Sequence, residues 1–206
     1  MLVLLAAMAC LALAERGSAS LMLTNGDFQD LTGLTPQPGA PGWYQGVPAG
    51  WTGYTGNLNY NVIDYSSGNI GANLQTLSFT SAPFTPLYQS IGSLGSTATI
   101  TLDFTVLAFN ANPFQVGAAI YDTSTGSSPS AGWTVLATQA YSTGGLQTLQ
   151  ASSVPANTPL AVAFWRSTGS PGVDNVSVVP EPSTLALLGL AAVGVAVKLT
   201  RRRPQA

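Results

Sequence analysis

The chain of 206 residues contains no histidine, a single cysteine (Cys10), and charge on only 7% of its residues. Without histidine there is no Ser-His-Asp or Cys-His triad and no histidine-bound zinc. Between Leu21 and Val178 cysteine and lysine are absent as well, so that stretch has no thiol nucleophile, no Schiff-base amine and no disulfide. Positive charge is scarcest of all. Arg166 is the sole cation there, against Asp27, Asp30, Asp64, Asp103, Asp122 and Asp174, a net charge of −5. A nucleic-acid face needs clustered Lys and Arg to neutralise phosphates, so that partner class is excluded. Paired aspartates remain the one route to acid–base chemistry, and a glycosidase needs its two carboxylates about 5–9.5 Å apart. The six are dispersed, and Asp103 alternates with threonines on a solvent face, so the chain reads as no enzyme.

The long apolar runs sit at the two ends. Met1 to Ala14 is almost wholly apolar, and both Ala12-Leu13-Ala14 and Ser18-Ala19-Ser20 offer small-residue cleavage sites, which predicts a signal peptide over 1–20. No Lys or Arg precedes the run, so an upstream start or a shortened gene is expected. Ala7-Met8-Ala9-Cys10 is loosely similar to a lipoprotein cleavage box but lacks leucine three positions before the cysteine. Cleavage after Ala14 or Ser20 removes that cysteine from the mature chain. At the other end, the 18 residues Ser183 to Thr200 carry one charge, Lys198. At about 1.5 Å of rise each, a helix over 183–200 reaches roughly 27 Å and can span the hydrocarbon of a bilayer. Arg201, Arg202 and Arg203 follow it, which favours a cytoplasmic C-terminus and an exported domain upstream.

Pro180-Glu181-Pro182, then Ser183-Thr184, the apolar span and Arg201-Arg202-Arg203 resemble the tail of the PEP-CTERM proteins of Gram-negative bacteria, over residues 179–206. The resemblance implies a sorting signal recognised and removed by an exosortase-type membrane enzyme. It also implies transient residence in the inner membrane and delivery of the ectodomain to the cell surface or an exopolysaccharide matrix. The rival reading is a permanent tail anchor.

Between the ends, over 21–178, the hydrophobic period is two. In Thr99 to Val106, Ile100, Leu102, Phe104 and Val106 alternate with polar residues, which puts them on one face of a strand. Phe114 to Tyr121 repeats the pattern. Leu58 to Tyr65, Leu74 to Phe79, Trp133 to Ala137, Leu146 to Gln150, Leu160 to Trp165 and Val173 to Val178 are further candidate strands. Gly, Pro, Asn and Ser clusters separate them, and no helix is expected before residue 183. Such spacing predicts an all-β antiparallel two-sheet sandwich or barrel, followed by one C-terminal transmembrane helix.

Leu23-Thr24-Asn25-Gly26-Asp27-Phe28, Gly50-Trp51 and Val173-Asp174-Asn175-Val176-Ser177-Val178 resemble the ends of galactose-binding-like jelly rolls, the fold of many carbohydrate-binding modules. The resemblance implies a jelly-roll β-sandwich and a structural calcium joining its first and last strands, with Asn25, Asp27 and Asp174 as ligands. Those modules usually carry glutamate directly after the phenylalanine, whereas this chain has Gln29. The competing reading makes Asn25-Gly26 a turn and starts an edge strand at Asp174, each satisfied locally.

Trp43, Tyr44, Trp51, Tyr54, Tyr60 and Tyr65 crowd into 23 residues among Gly and Asn. Exposed rings there can stack on sugars while Gln45, Asn57 and Asn59 bond hydroxyls; buried rings would build the core. Trp51 reads as core, as do Trp133 and Trp165. Trp43 and Tyr44, in a segment from Pro36 to Pro48 that reads as a loop, and Tyr54 are the ligand-binding candidates. Arg166 is another, as a partner for the carboxylate of an acidic polysaccharide, with pairing to an aspartate as its alternative. Two functions stand: a structural protein of the surface or matrix, and a carbohydrate-binding module acting through loop aromatics. An adhesin for a protein partner is not separable from them at this level.

Overall fold

The computed structural model describes residues 21–53, 61–66, 69–74, 86–109 and 112–181. The signal segment 1–20, the span over 183–200, Tyr54, Asn57, Asn59, Tyr60, Pro182 and Arg201 to Arg203 lie outside the described residues, as does most of the candidate strand Leu74 to Phe79. Eleven strands are described: β1 (Thr35–Pro36), β2 (Trp43–Gln45), β3 (Asn61–Ser66), β4 (Asn69–Asn73), β5 (Leu87–Ser93), β6 (Ala98–Ala108), β7 (Gln115–Asp122), β8 (Thr134–Tyr141), β9 (Gly145–Val154), β10 (Pro159–Thr168) and β11 (Pro171–Glu181). Among the described residues there is no helix.

The strands form two antiparallel sheets, one ordered β1-β2-β3-β4-β11-β6-β9 and the other β5-β10-β7-β8. From β4 onward successive strands pass from one sheet to the other, except that β7 and β8 are neighbours, which makes the domain a jelly-roll sandwich. The alternation in the sequence is the cause of the layering. Ile100, Leu102, Phe104 and Val106 of β6 are buried between the sheets, facing Val116, Ala118 and Ile120 of β7 and Leu160, Val162 and Phe164 of β10. Phe104 is the hub, edge-on to Phe164 at 5.0 Å and to Tyr141 at 5.2 Å.

The segment before β1 closes one end of this core. Phe28 and Trp51 are buried and stack at 5.3 Å, and Trp51 lies 6.0 Å from Phe164. Buried Gln89 ties the segment to β5 as a substitute peptide group. Its Oε1 accepts from the Thr24 amide at 2.6 Å, and its Nε2 donates to the carbonyls of Thr24 at 2.9 Å and Gly50 at 2.7 Å.

Three expectations are revised by these contacts. The segment Pro36 to Pro48 is not a plain loop, because β1 and β2 pair within it, Pro36 opposite Tyr44. Asp174 does not begin an edge strand. It lies inside β11, between β4 and β6, and is 3% exposed. The register slips by one residue between Asp174 and Ser177, a bulge in which Asn175 takes φ 50°. Finally, β11 runs through Val178, where the sequence closes the domain, and ends at Glu181.

Candidate functional site

The face of β7 and β10 that turns away from the core has small residues beneath large rings. Ala163 is registered with both Ala119 and Tyr88, Trp165 with Gly117, and Ala161 with Tyr121. A Cβ on Gly117 would lie 2.0 Å from the Trp165 indole, so the ring rests directly on the backbone there. Trp133, just ahead of β8, meets Tyr88 edge-on at 5.1 Å and Tyr121 at 5.9 Å. These rings shield Ala119 and Ala163 completely while Tyr88, Trp133 and Trp165 are themselves only partly buried. Burial raises the Tyr121 hydroxyl above the ordinary phenol range. The outcome is an aromatic layer across the outside of the four-stranded sheet, distinct from the main core, and it gathers Trp133 and Trp165, which the sequence assigns to packing alone. The positions 88, 121, 133 and 165 are far apart in the chain. The signal that could have found them is the alternation of Gly and Ala on one face of β7 and β10, which leaves room for rings above.

The residues singled out in the sequence are not brought together. Trp43 and Tyr44 are adjacent in β2, so they point to opposite faces: Trp43 is 36% exposed, while Tyr44 packs against the main core. Arg166 lies in β10 of the other sheet, half-buried, and its Nε is buried without a hydrogen-bond partner. Desolvation lowers its guanidinium pKa from the ordinary value, yet arginine stays charged. Trp51 is core, as read, and its indole N–H donates to the Asn25 carbonyl at 3.1 Å.

Asn25, Asp27 and Asp174 do surround one junction. The Val176 amide donates to the Gly26 carbonyl at 2.8 Å, which brings the first segment against β11. Asn25, Phe28 and Asn175 all take left-handed φ, at 51°, 53° and 50°. The side-chain oxygens there are engaged within the chain. Asn25 Oδ1 accepts from the Asp30 amide at 2.9 Å, and its Nδ2 donates to the carbonyls of Asp30 and Ala49. Both Asp174 carboxylate oxygens accept from Asn175, one from its amide at 2.7 Å and one from its Nδ2 at 3.2 Å. Gln29 Nε2 donates to the Asp27 main-chain carbonyl at 3.1 Å. Calcium takes six to eight oxygens, and among the described residues no group of three His, Cys, Asp or Glu could hold a metal.

The opposite face of the molecule, outside the seven-stranded sheet, is polar. Thr148 Oγ1 donates to Asp103 at 2.6 Å, and Thr101, Gln150 and Glu181 form a cluster across β6, β9 and β11. Asp103 is thus occupied in a sheet ladder, with no second carboxylate beside it in that bond.

Residues 178–203 match the family of the PEP-CTERM protein-sorting motif. The match places a protein-sorting signal of exported proteins at this end of the chain. In fold the chain is similar to a CBM4 structure, at 19% identity over 78% of this chain and 100% of that one, with a TM-score of 0.48. It is also similar to the CBM22-1 xylan-binding domain of Paenibacillus barcinonensis Xyn10C, at 13% identity over 66% and 88%, TM-score 0.44. A third similarity is to the K3 cleaved adhesin domain of Lys-gingipain from Porphyromonas gingivalis, at 21% identity over 65% and 91%, TM-score 0.40. None of the curated proteins matches the sequence.

Proposed function

We propose that this chain is a non-catalytic protein of the cell surface or extracellular matrix of a Gram-negative bacterium, carried through the inner membrane by its C-terminal span and released by an exosortase-type enzyme. The observation that carries the reading is the sorting-motif match at 178–203, which begins inside the last strand of a sandwich with no histidine. Fractionation of cells expressing the full chain, with and without Arg201 to Arg203, tests it. The intact chain is expected to be shortened and to leave the inner membrane, and the truncated tail to stay full length there. Full-length wild type held in the inner membrane would make the tail a permanent anchor.

The aromatic layer favours a second reading within the first, retention by a polysaccharide of the matrix. Partly buried rings over a sheet present apolar faces of the size of a pyranose at little entropic cost. Tyr88 and Trp133 supply two joined rings, Trp43 one isolated ring, and Tyr44 none that is free of the core. Arg166 suits a carboxylate of an acidic glycan. On a panel of neutral and acidic polysaccharides, the wild-type protein is expected to be retained. Trp133→Ala should weaken retention about three- to tenfold, in line with roughly 0.5–1.5 kcal/mol for a ring contact, and Trp43→Ala should weaken it less. Passage of the wild type through every member of the panel would remove the binding reading and leave the structural one.

The junction of Asn25, Asp27 and Asp174 is proposed to stand without a metal. The thermal midpoint of the protein should be the same in calcium and in chelator, because an ion that binds only the folded state would raise it. A higher midpoint in calcium would restore the ion to this junction.

A further inference from the structure

The sorting motif is part of the sheet. Val179 is registered with Thr101, Pro180 with Ile100 and Glu181 with Thr99, so the end of β11 is paired with β6 up to the glutamate of Pro-Glu-Pro. Glu181 is also held by its side chain. Its Oε1 accepts from Thr101 Oγ1 at 2.6 Å and from Gln150 Nε2 at 3.2 Å, while Gln150 Nε2 also donates to Thr101 Oγ1 at 3.2 Å. Hydrogen bonds to an ionised acceptor are the stronger class. Three strands, β9, β6 and β11, therefore converge on one carboxylate.

We infer that the folded sandwich latches its own sorting motif, with Thr101 and Gln150 as the latch, and that the sorting enzyme acts on the form in which residues 177–181 have peeled away from β6. This rests on the exosortase reading above. An enzyme that recognises Pro-Glu-Pro must offer its own partners to the Glu181 carboxylate and to the backbone around it, and those groups are already engaged. The chain leaves little slack for any other approach. Only Pro182, Ser183 and Thr184 separate Glu181 from the apolar run that starts at Leu185. At no more than about 3.6 Å per residue, the motif in its folded position stays within roughly 14 Å of that run.

The peel has a natural limit. Beyond the bulge at Asp174 to Ser177, β6 is the strand that pairs with Ser177 to Glu181 among the described residues. Val179 on the outer face is 50% exposed, so lifting this end uncovers little apolar surface on that side. Val176, by contrast, is buried and its amide is bonded to the Gly26 carbonyl, which pins the strand one residue earlier. Val178, on the inner face, packs against the main core, so the opening gives up that contact and stops short of Val176. Local opening of this kind sets the rate of attack on a folded substrate when closing outpaces cleavage.

The test follows the full chain in a host that carries the sorting enzyme, by pulse-chase conversion to the processed form. Thr101→Val with Gln150→Leu removes the latch at outer-face positions, and conversion should be about tenfold faster, in step with the larger open population. Thr101→Cys with Val179→Cys, in a Cys10→Ser background, joins two registered residues and should slow conversion at least as much, with reductant restoring it. Thermal melts of each variant confirm that the sandwich is folded. Equal conversion rates in wild type, unlatched and cross-linked chains would overturn the latch while leaving sorting intact. A wild-type chain that is never converted would overturn the sorting reading, and the latch with it.

Discussion

Replacement of Trp51 by alanine is expected to destabilise the domain by about 3–5 kcal/mol, the range for emptying a large aromatic site in a core. Trp51 is 6% exposed and joins several parts of the core at once. It stacks on Phe28 at 5.3 Å, it lies 6.0 Å from Phe164, and through Phe164 it reaches the Phe104 hub between the sheets. Its indole N–H also satisfies the Asn25 carbonyl at 3.1 Å, in a segment whose backbone turns left-handed at Asn25 and Phe28. Removing the ring opens a cavity at the end of the sandwich and frees the segment that covers it. Against a total stability of roughly 5–15 kcal/mol for a domain, such a loss takes about a fifth of the margin or more. Denaturant unfolding of wild type, Trp51→Ala and Trp51→Phe separates the contributions. Phenylalanine keeps part of the stacking and loses the hydrogen bond, so its cost should be intermediate. A Trp51→Ala protein within about 1 kcal/mol of wild type would place Trp51 outside the core.

The second large effect is expected at Gly26, where alanine should cost about 2–4 kcal/mol, the sum of overpacking and one lost hydrogen bond. A Cβ there would lie 2.2 Å from the Val176 carbonyl oxygen and 2.4 Å from a methyl carbon of Leu23. The leucine can turn away, but the carbonyl belongs to β11, which is fixed between β4 and β6. The first segment must therefore retreat, and the 2.8 Å bond from the Val176 amide to the Gly26 carbonyl goes with it. Because Val176 is also where the peel of the sorting motif stops, Gly26→Ala should additionally speed processing in the pulse-chase assay. A thermal midpoint equal to that of wild type would show that the close approach does not exist in solution.

Much of the fold was legible. Strand β6 falls where the period of two puts it, because a half-buried strand has to separate its apolar and polar faces, while β7 and β10 fall on apolar runs and are buried on both faces. The strands that escaped notice break that rule for local reasons. Strand β5 buries Gln89 amid apolar neighbours, since its amide serves Thr24 and Gly50. Strand β4 is five residues, Asn69–Asn73, with a glycine at its centre. Strands β1 and β2 lie among prolines and glycines that read as loop. Asp174 read as an edge position because nothing in Val173-Asp174-Asn175-Val176 reveals a bulge that turns two successive residues inward.

The candidate sites were less legible. Trp43 and Tyr44 looked like one platform because they are adjacent in sequence, and adjacency in a strand is what sends them to opposite faces. Tyr88, Tyr121, Trp133 and Trp165 form a layer that the Gly and Ala positions of β7 and β10 make room for, but no stretch of sequence shows which rings fill it. Their meeting depends on β5, β10 and β7 lying side by side and on the loop after β7 folding back over them.

From the sequence alone, the inventory of chemical groups and the sorting signal of this protein were legible. The absence of histidine and the scarcity of cations are facts of composition that no fold can repair, and a sorting signal is read as a linear segment. Tertiary structure decided everything that depends on which strands are neighbours. It turned dispersed aromatics into a face, buried Asp174 at a bulge, and placed Glu181 of Pro-Glu-Pro under the side chains of Thr101 and Gln150. Cross-strand register joins residues about 50 to 80 positions apart, and it arises from the packing of whole sheets rather than from any short stretch of the chain.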